Sequence, residues 1–298
     1  MEPNELIPPV PKSQVTASAA VALTVAYSAP TPGAGSRYVD GAVAHEKRLL
    51  TIVPVGEAIT DAGREGVGEI VLRSVLDSRN LAGFADVRAA GYLAPLARAA
   101  LLGETPGRVL SGLGAGEVAP LAAALEAAGD QGPLAGALAM ARQAGKETPL
   151  RDAVRFAAGR DPLAREYSQN YEITTQLARP ALLSALSRAG STRAALVQSY
   201  LEVLSEVPDL DVVERAGRRE AEEISRMAHG VLKSGGVFSG RGLQGIANLD
   251  GLLRDDSRLI PSATEFPALA AAFLTAIEYG RDSLVGQLRP ATGGNRGR

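Results

Sequence analysis

Cysteine is absent from this 298-residue chain. That removes disulfides, thiolate metal sites and a cysteine nucleophile together. Tryptophan is absent too, and five Phe with seven Tyr supply all the aromatic rings. Almost half the residues, 46%, are nevertheless hydrophobic, so the core has to be built largely from Ala and Leu. Small side chains fill space only where backbones approach closely, which favours packed helices. Neither sign of charge is in excess: the net charge is −2. No basic stripe of the kind that neutralises a phosphate backbone is present, which excludes nucleic acid as a partner. No apolar run approaches the roughly 20 residues that span a bilayer. Residues 17–29 are apolar and end in small side chains, but the preceding MEPNELIPPVPK is acidic and proline-rich where a signal peptide carries a basic region. A buried first helix and a cytoplasmic protein with no membrane partner are the expectations.

What is present is helical pattern. Residues 1–12 read as a flexible arm, because Pro3, Pro8, Pro9 and Pro11 exclude a helix. Helices are predicted over 13–29, 44–61, 64–78, 86–102, 116–128 and 131–144. Thr148-Pro149 and Asp161-Pro162 each set a capping side chain before a proline, a good helix start. After the second, Leu163, Tyr167, Tyr171, Thr174 and Ala178 recur at helical spacing as one inward stripe. Over 214–233, Glu214, Arg218, Glu222 and Arg226 alternate in sign at four-residue steps, a solvated face. Helices over 243–254 and 264–280 follow, and 289–298 is a disordered tail. The β-branched run at 50–55 fits inside a helix as well as in a strand. With no repeat and no long linker, residues 13–288 are expected to form a single compact all-α domain.

Common catalytic signatures are missing: no GxxxxGK[ST] loop, no strand-borne GxGxxG, no HExxH and no GxSxG. His45 and His229 cannot make a metal site by themselves. Three weaker elements remain. In LKSGGVFSGRG, Lys233 and Arg241 flank glycines that either cradle an anion or simply end a helix. In PTPGAGSRYVD, two prolines stiffen a loop bearing Arg37 and Asp40, suited to phosphate recognition or to a surface ion pair. Asp86 and Arg88 open an otherwise apolar helix, either as a functional pair or as a helix-start acid beside a solvated Arg.

The order of these elements resembles the triphosphoribosyl-dephospho-CoA synthases over about residues 20 to 280. The similarity is strongest in TPLRDAVRFAAGRDPLAREYSQNYEI (148–173) and LEVLSEVPDLDVVERAGRREAEEISRMAHGVLKSGG (201–236), with YLAPLARAA (92–100) in support. The resemblance implies an all-helical fold of that type. It also implies a reaction in which ATP loses adenine as its triphosphoribosyl group joins dephospho-CoA, with Mg²⁺ and basic groups on the triphosphate.

The departures from the family pattern fall in its polar motifs. Against the family's glutamate and "PKPGNV" this chain has Val25, Thr31 and Ala34, while Arg37 and Asp40 match. Its "NTNLG" aligns with Phe84-Ala85-Asp86-Val87-Arg88; "NPGGLG…DV" has no counterpart; and "NPGTTADL" becomes IPSATEFPAL, keeping Pro261 and Thr264 without the aspartate. The expectation is a divergent, transferase-like relative with a remodelled nucleotide or phosphate cleft and altered chemistry. Asp86 and Asp40 are its candidate catalytic groups, and Arg37, Arg88, Arg165, Lys233 and Arg241 its candidate phosphate ligands. For Arg165 the preferred reading is a brace for its helix pair. Mg²⁺ with ATP is implied if the family activity is retained. The alternative is a non-catalytic scaffold, as a homo-oligomer or in complex with a related enzyme.

Overall fold

The structure is a computed structural model and describes residues 8–36, 41, 43–143 and 148–285. It is all-α, with no strand among the described residues. In chain order the helices are α1 (Lys12–Ser28), α2 (His45–Leu50), α3 (Ile52–Ile59), α4 (Val67–Ala82), α5 (Val87–Leu102), α6 (Pro106–Ser111), α7 (Val118–Ala128) and α8 (Pro133–Gln143). Then come α9 (Leu150–Ala157), α10 (Pro162–Ser168), a π-helical segment (Ile173–Ala178), α11 (Arg179–Leu186), α12 (Thr192–Glu206), α13 (Leu210–Arg215), α14 (Arg218–Lys233), α15 (Gly240–Asp255) and α16 (Glu265–Tyr279). No helix among the described residues is long and apolar enough to cross a membrane. The chain segments flanking the described ones, including most of the predicted arm and the predicted tail, lie outside the described residues.

The core follows from the composition. α1, α5 and α16 pack together with Ala19, Ala22, Ala90, Ala94, Ala97, Ala271 and Ala272 all buried, which lets their backbones approach. A second cluster joins α12, α14 and α15 through Tyr200, Leu201, Leu204, Ile224 and Leu253. Both clusters share α12, so one compact domain results.

Pro95 sits inside α5 and has no N–H to give the carbonyl four residues back, that of Gly91. Tyr167 donates its hydroxyl to Gly91 O at 2.7 Å, and Tyr171 donates to Tyr92 O at 2.8 Å. The α10 region therefore completes the α5 ladder. Contact is close enough that a Cβ on Gly91 would lie 2.6 Å from Leu163 Cδ2. To bring Tyr171 there, Asn170 and Tyr171 adopt φ of 54° and 63°, a left-handed conformation that non-glycine residues adopt at a cost. The predicted inward stripe is buried as expected, but it is not one α-helix: it turns at 170–171 and resumes as the π segment.

Two other expectations are corrected. The predicted 44–61 helix is two helices, because Pro54 cannot donate to the carbonyl of Leu50; at the break Thr51 N and Oγ both donate to Arg48 O, at 3.2 and 2.7 Å. The predicted 214–233 face is broken at Gly217, with φ of 115°. Glu214 consequently leaves the charge ladder and pairs with Arg160 at 2.7 Å.

Glu166 is fully buried at the α10–π junction. Its Oε1 accepts from Thr174 N at 2.9 Å and from Thr174 Oγ at 2.5 Å, while Oε2 has no partner. Burial pushes this carboxyl up to about 7, against the Thr174 hydrogen bonds.

Tyr167→Phe is expected to cost about 1–2 kcal/mol in urea unfolding, since Gly91 O loses its partner. In a Pro95→Ala background, where the restored N–H serves that carbonyl, the same change should cost well under half as much; equal costs would refute the ladder-repair account. Glu166 keeps its proton to higher pH in the folded chain than in the unfolded one. Its contribution is complete below its unfolded pKa and is lost as pH rises to about 7. Glu166→Gln should therefore gain stability relative to wild type between pH 5 and pH 8, by on the order of 2 to 3 kcal/mol, as read from urea midpoints.

Candidate functional site

The N-terminus of α5 opens onto a cleft of about 840 Å³. Its walls come from the loop at 33–35 with Gly41 and Val43, from α2, from the α5 start, from α13, and from the segment between α15 and α16. The loop is fixed from three sides. Tyr200 donates to Pro32 O at 3.2 Å, Gly33 N donates to Asp250 Oδ1 at 2.8 Å, and Arg254 donates to Ala34 O at 2.8 Å. Gly33 takes φ of 82°, which a glycine adopts freely.

Asp86 is the N-cap of α5: Oδ1 accepts from Ala89 N at 3.0 Å, and Oδ2 accepts from Tyr27 Oη at 3.1 Å. Arg48 lies over the Tyr27 ring, 4.3 Å from its centroid, and bridges Glu265 at 2.8 Å and Asp86 at 3.7 Å. Burial works against the Arg48 charge, but Glu265 and then Asp86 more than restore it, and the guanidinium pKa is raised. Burial, then Asp86, pushes the Tyr27 phenol up. The segment IPSATEFPAL thus supplies a carboxylate after all, from Glu265.

Across the cleft Arg88 pairs with Asp211, which also accepts from Ser262 Oγ at 2.7 Å. Burial would raise the Asp211 carboxyl, yet Arg88 and Ser262 hold it below the usual range. Two residues away, Asp209 caps α13 through Asp211 N and Val212 N, at 2.9 and 3.1 Å. Its other oxygen accepts from Thr264 N and Thr264 Oγ at 2.8 and 2.7 Å. Burial first, then the neighbouring Asp211, pushes Asp209 up to about 6. Arg215 closes the wall by donating to the carbonyls of Asp211, Ser257 and Ile260 and to Ser262 Oγ.

Of the residues singled out in the sequence, Asp86 and Arg88 line this cleft. Arg37 and Asp40 lie outside the described residues, between loop segments that do line it. Arg165, Lys233 and Arg241 are not among the lining residues. Arg165 is half-buried on α10 and reaches Gln169 at 3.3 Å; Lys233 and Arg241 are exposed. Two glycines near the last two pack tightly, since a Cβ on Gly236 would lie 2.2 Å from Gln198 Oε1 and one on Gly242 2.0 Å from Gly236 O. Val25 faces a separate groove with Leu186 and Leu284. Sequence reasoning passed over Arg48, Tyr27, Glu265, Asp211 and Arg215. The signal available was VPDLD, where two acids stand two apart at a helix start.

A model of the CitG family, ATP:dephospho-CoA triphosphoribosyl transferase, matches residues 15–264. The chain belongs to this family. An Archaeoglobus fulgidus protein assigned as a triphosphoribosyl-dephospho-CoA synthase has a similar crystal structure, with a TM-score of 0.57 and 20% identity over 80% of this chain and 98% of that one. At that identity the likeness speaks for the fold alone. No curated protein matches the sequence. The family reaction implies Mg²⁺, and the described donors do not suit it. No three His, Asp or Glu side chains converge among the described residues, and Asp86, Glu265 and Asp211 are each engaged by an arginine. No step through a metal ion is drawn.

Arg48→Met would leave Asp86 and Glu265 without a counter-charge in a half-closed site. A loss of about 3 kcal/mol in urea unfolding is expected; a loss under about 0.5 kcal/mol would mean the hub is a surface pair.

Proposed function

We propose that this family member uses the α5 cleft for a phosphorylated or nucleotide-like ligand, with chemistry altered from triphosphoribosyl transfer. The supporting observation is that Asp86 and Arg88, standing where the family pattern has "NTNLG", line one cleft with the loop that carries Arg37 and Asp40. Arg88 and Arg215 present guanidinium groups suited to a phosphate. Asp86 presents a carboxylate held in one orientation by a backbone N–H and the Tyr27 hydroxyl. Such a group can orient a ligand hydroxyl or balance positive charge that develops on a pentose ring. On this reading the protein is a transferase for a nucleotide or phosphorylated pentose. Retention of the family reaction itself would call for ATP with Mg²⁺.

A second reading is a non-catalytic scaffold, alone as a homo-oligomer or as partner of a related enzyme. It is favoured by the pairing inside the cleft, where Arg48, Arg88, Arg254 and Arg258 each already hold a carboxylate.

Thermal shift with ATP, CoA and dephospho-CoA, each with and without Mg²⁺, separates the readings. A nucleotide present at 100 times its Kd should stabilise the chain by about 2.7 kcal/mol, and Tm should rise accordingly. Chromatography should show no adenine released from ATP. Adenine release would restore the family reaction, and no shift with any nucleotide would favour the scaffold.

A further inference from the structure

The cleft is electrically closed on itself. The five arginines that line it, Arg48, Arg88, Arg215, Arg254 and Arg258, meet six carboxylates on the walls or paired directly behind them. Every one of the six carboxylates is committed. Asp86 and Glu265 hold Arg48, and Asp211 holds Arg88 and Ser262. Asp250 takes Gly33 N and Arg254; Asp256 takes Arg258; and Asp130 accepts from Gly132 N at 2.8 Å. A hard divalent cation needs several free oxygens at once, and with Asp130 alone outside an ion pair this set cannot supply them without breaking one.

Arg215 differs from the other four. Its guanidinium donates to three backbone carbonyls and to Ser262 Oγ, all neutral acceptors, so among the described residues it is the cleft arginine outside an ion pair, and it is exposed at the mouth. Phe84 and Ile260 line the same cleft and give it apolar walls. A phosphomonoester brings about two negative charges at neutral pH. Arg215 can take it directly while Arg88 shares its free N–H groups. With one cleft arginine outside an ion pair among the described residues, the larger charge of a triphosphate is met less completely than that of a monoester.

We infer that the ligand of this cleft is a phosphomonoester with an apolar or planar body, bound without a divalent cation. The inference rests on the phosphate-ligand reading above and narrows it.

Isothermal titration of the full chain with AMP, adenosine and ATP, each in EDTA and again in Mg²⁺, tests the assignment. AMP is expected to bind equally in both media, within about twofold. Adenosine, and ATP in EDTA, should each bind at least about tenfold more weakly than AMP. Asp256→Asn frees Arg258 at the rim, away from the core, and should shrink the ATP deficit at least about threefold. Asp211→Asn frees Arg88 and should act in the same direction. Mg²⁺-ATP binding tighter than AMP, or AMP binding that vanishes in EDTA, overturns the inference while leaving a phosphate cleft standing. Adenosine binding as well as AMP, or an ATP-to-AMP ratio unmoved in both variants, overturns it equally. No binding by any of the three overturns this inference, and the proposed function then stands or falls on the CoA and dephospho-CoA arms of the thermal-shift test.

Discussion

The architecture depends on a hydrogen-bond donor that is missing from α5. Pro95 leaves the Gly91 carbonyl unserved in the middle of a buried helix, where an unpaired carbonyl is costly. Tyr167 of α10 supplies that donor, and Tyr171, delivered by two left-handed residues, donates to the next carbonyl, that of Tyr92. Gly91 allows the approach because any side chain there would strike Leu163. The repair locks α5 against α10, and so fixes the end of α5 that faces the cleft. Asp86 and Arg88 are held in place by this contact, about one turn further along their helix, as well as by their own partners.

Around that fixed point the cleft is built from paired charges. Arg48 draws α2, α5 and α16 together through Tyr27, Asp86 and Glu265. Arg88 with Asp211 ties α5 to α13, and Asp209 with Thr264 ties α13 to the start of α16. Each of these contacts costs desolvation, and each carries further hydrogen bonds that offset that cost. The result is a rigid, nearly neutral pocket in a family defined by transfer of a highly charged group. Membership of the family therefore carries the helical frame, while the pairing inside the cleft argues for a ligand of lower charge.

Much of the fold was legible in the residues. The Ala- and Leu-rich composition, the capped Pro162 and the 163–178 stripe announced helices and the face each buries; Thr148 does not cap α9, whose N-cap is Pro149 itself. Legibility failed where a local break decided the geometry. Pro54 and Gly217 each split a helix that apolar and charge periodicity run straight through, because periodicity is blind to a single missing N–H or a single left-handed residue. In the site, Asp86 and Arg88 stood out as charges at the start of an apolar helix. Arg48 and Glu265 did not, since 217 positions separate them and nothing in either neighbourhood signals the other.

The sequence by itself determined the helical class, the family frame and the identity of α5 as the helix that presents charge. These are set by nearest-neighbour chemistry: side-chain period, caps and composition. Only the tertiary structure decided which charges meet. An ion pair forms between residues brought within a few ångströms by packing, and its sign and partner decide whether an arginine is free to hold a ligand or already spent. That distinction, between a basic cleft and a compensated one, is not written in any single stretch of the chain.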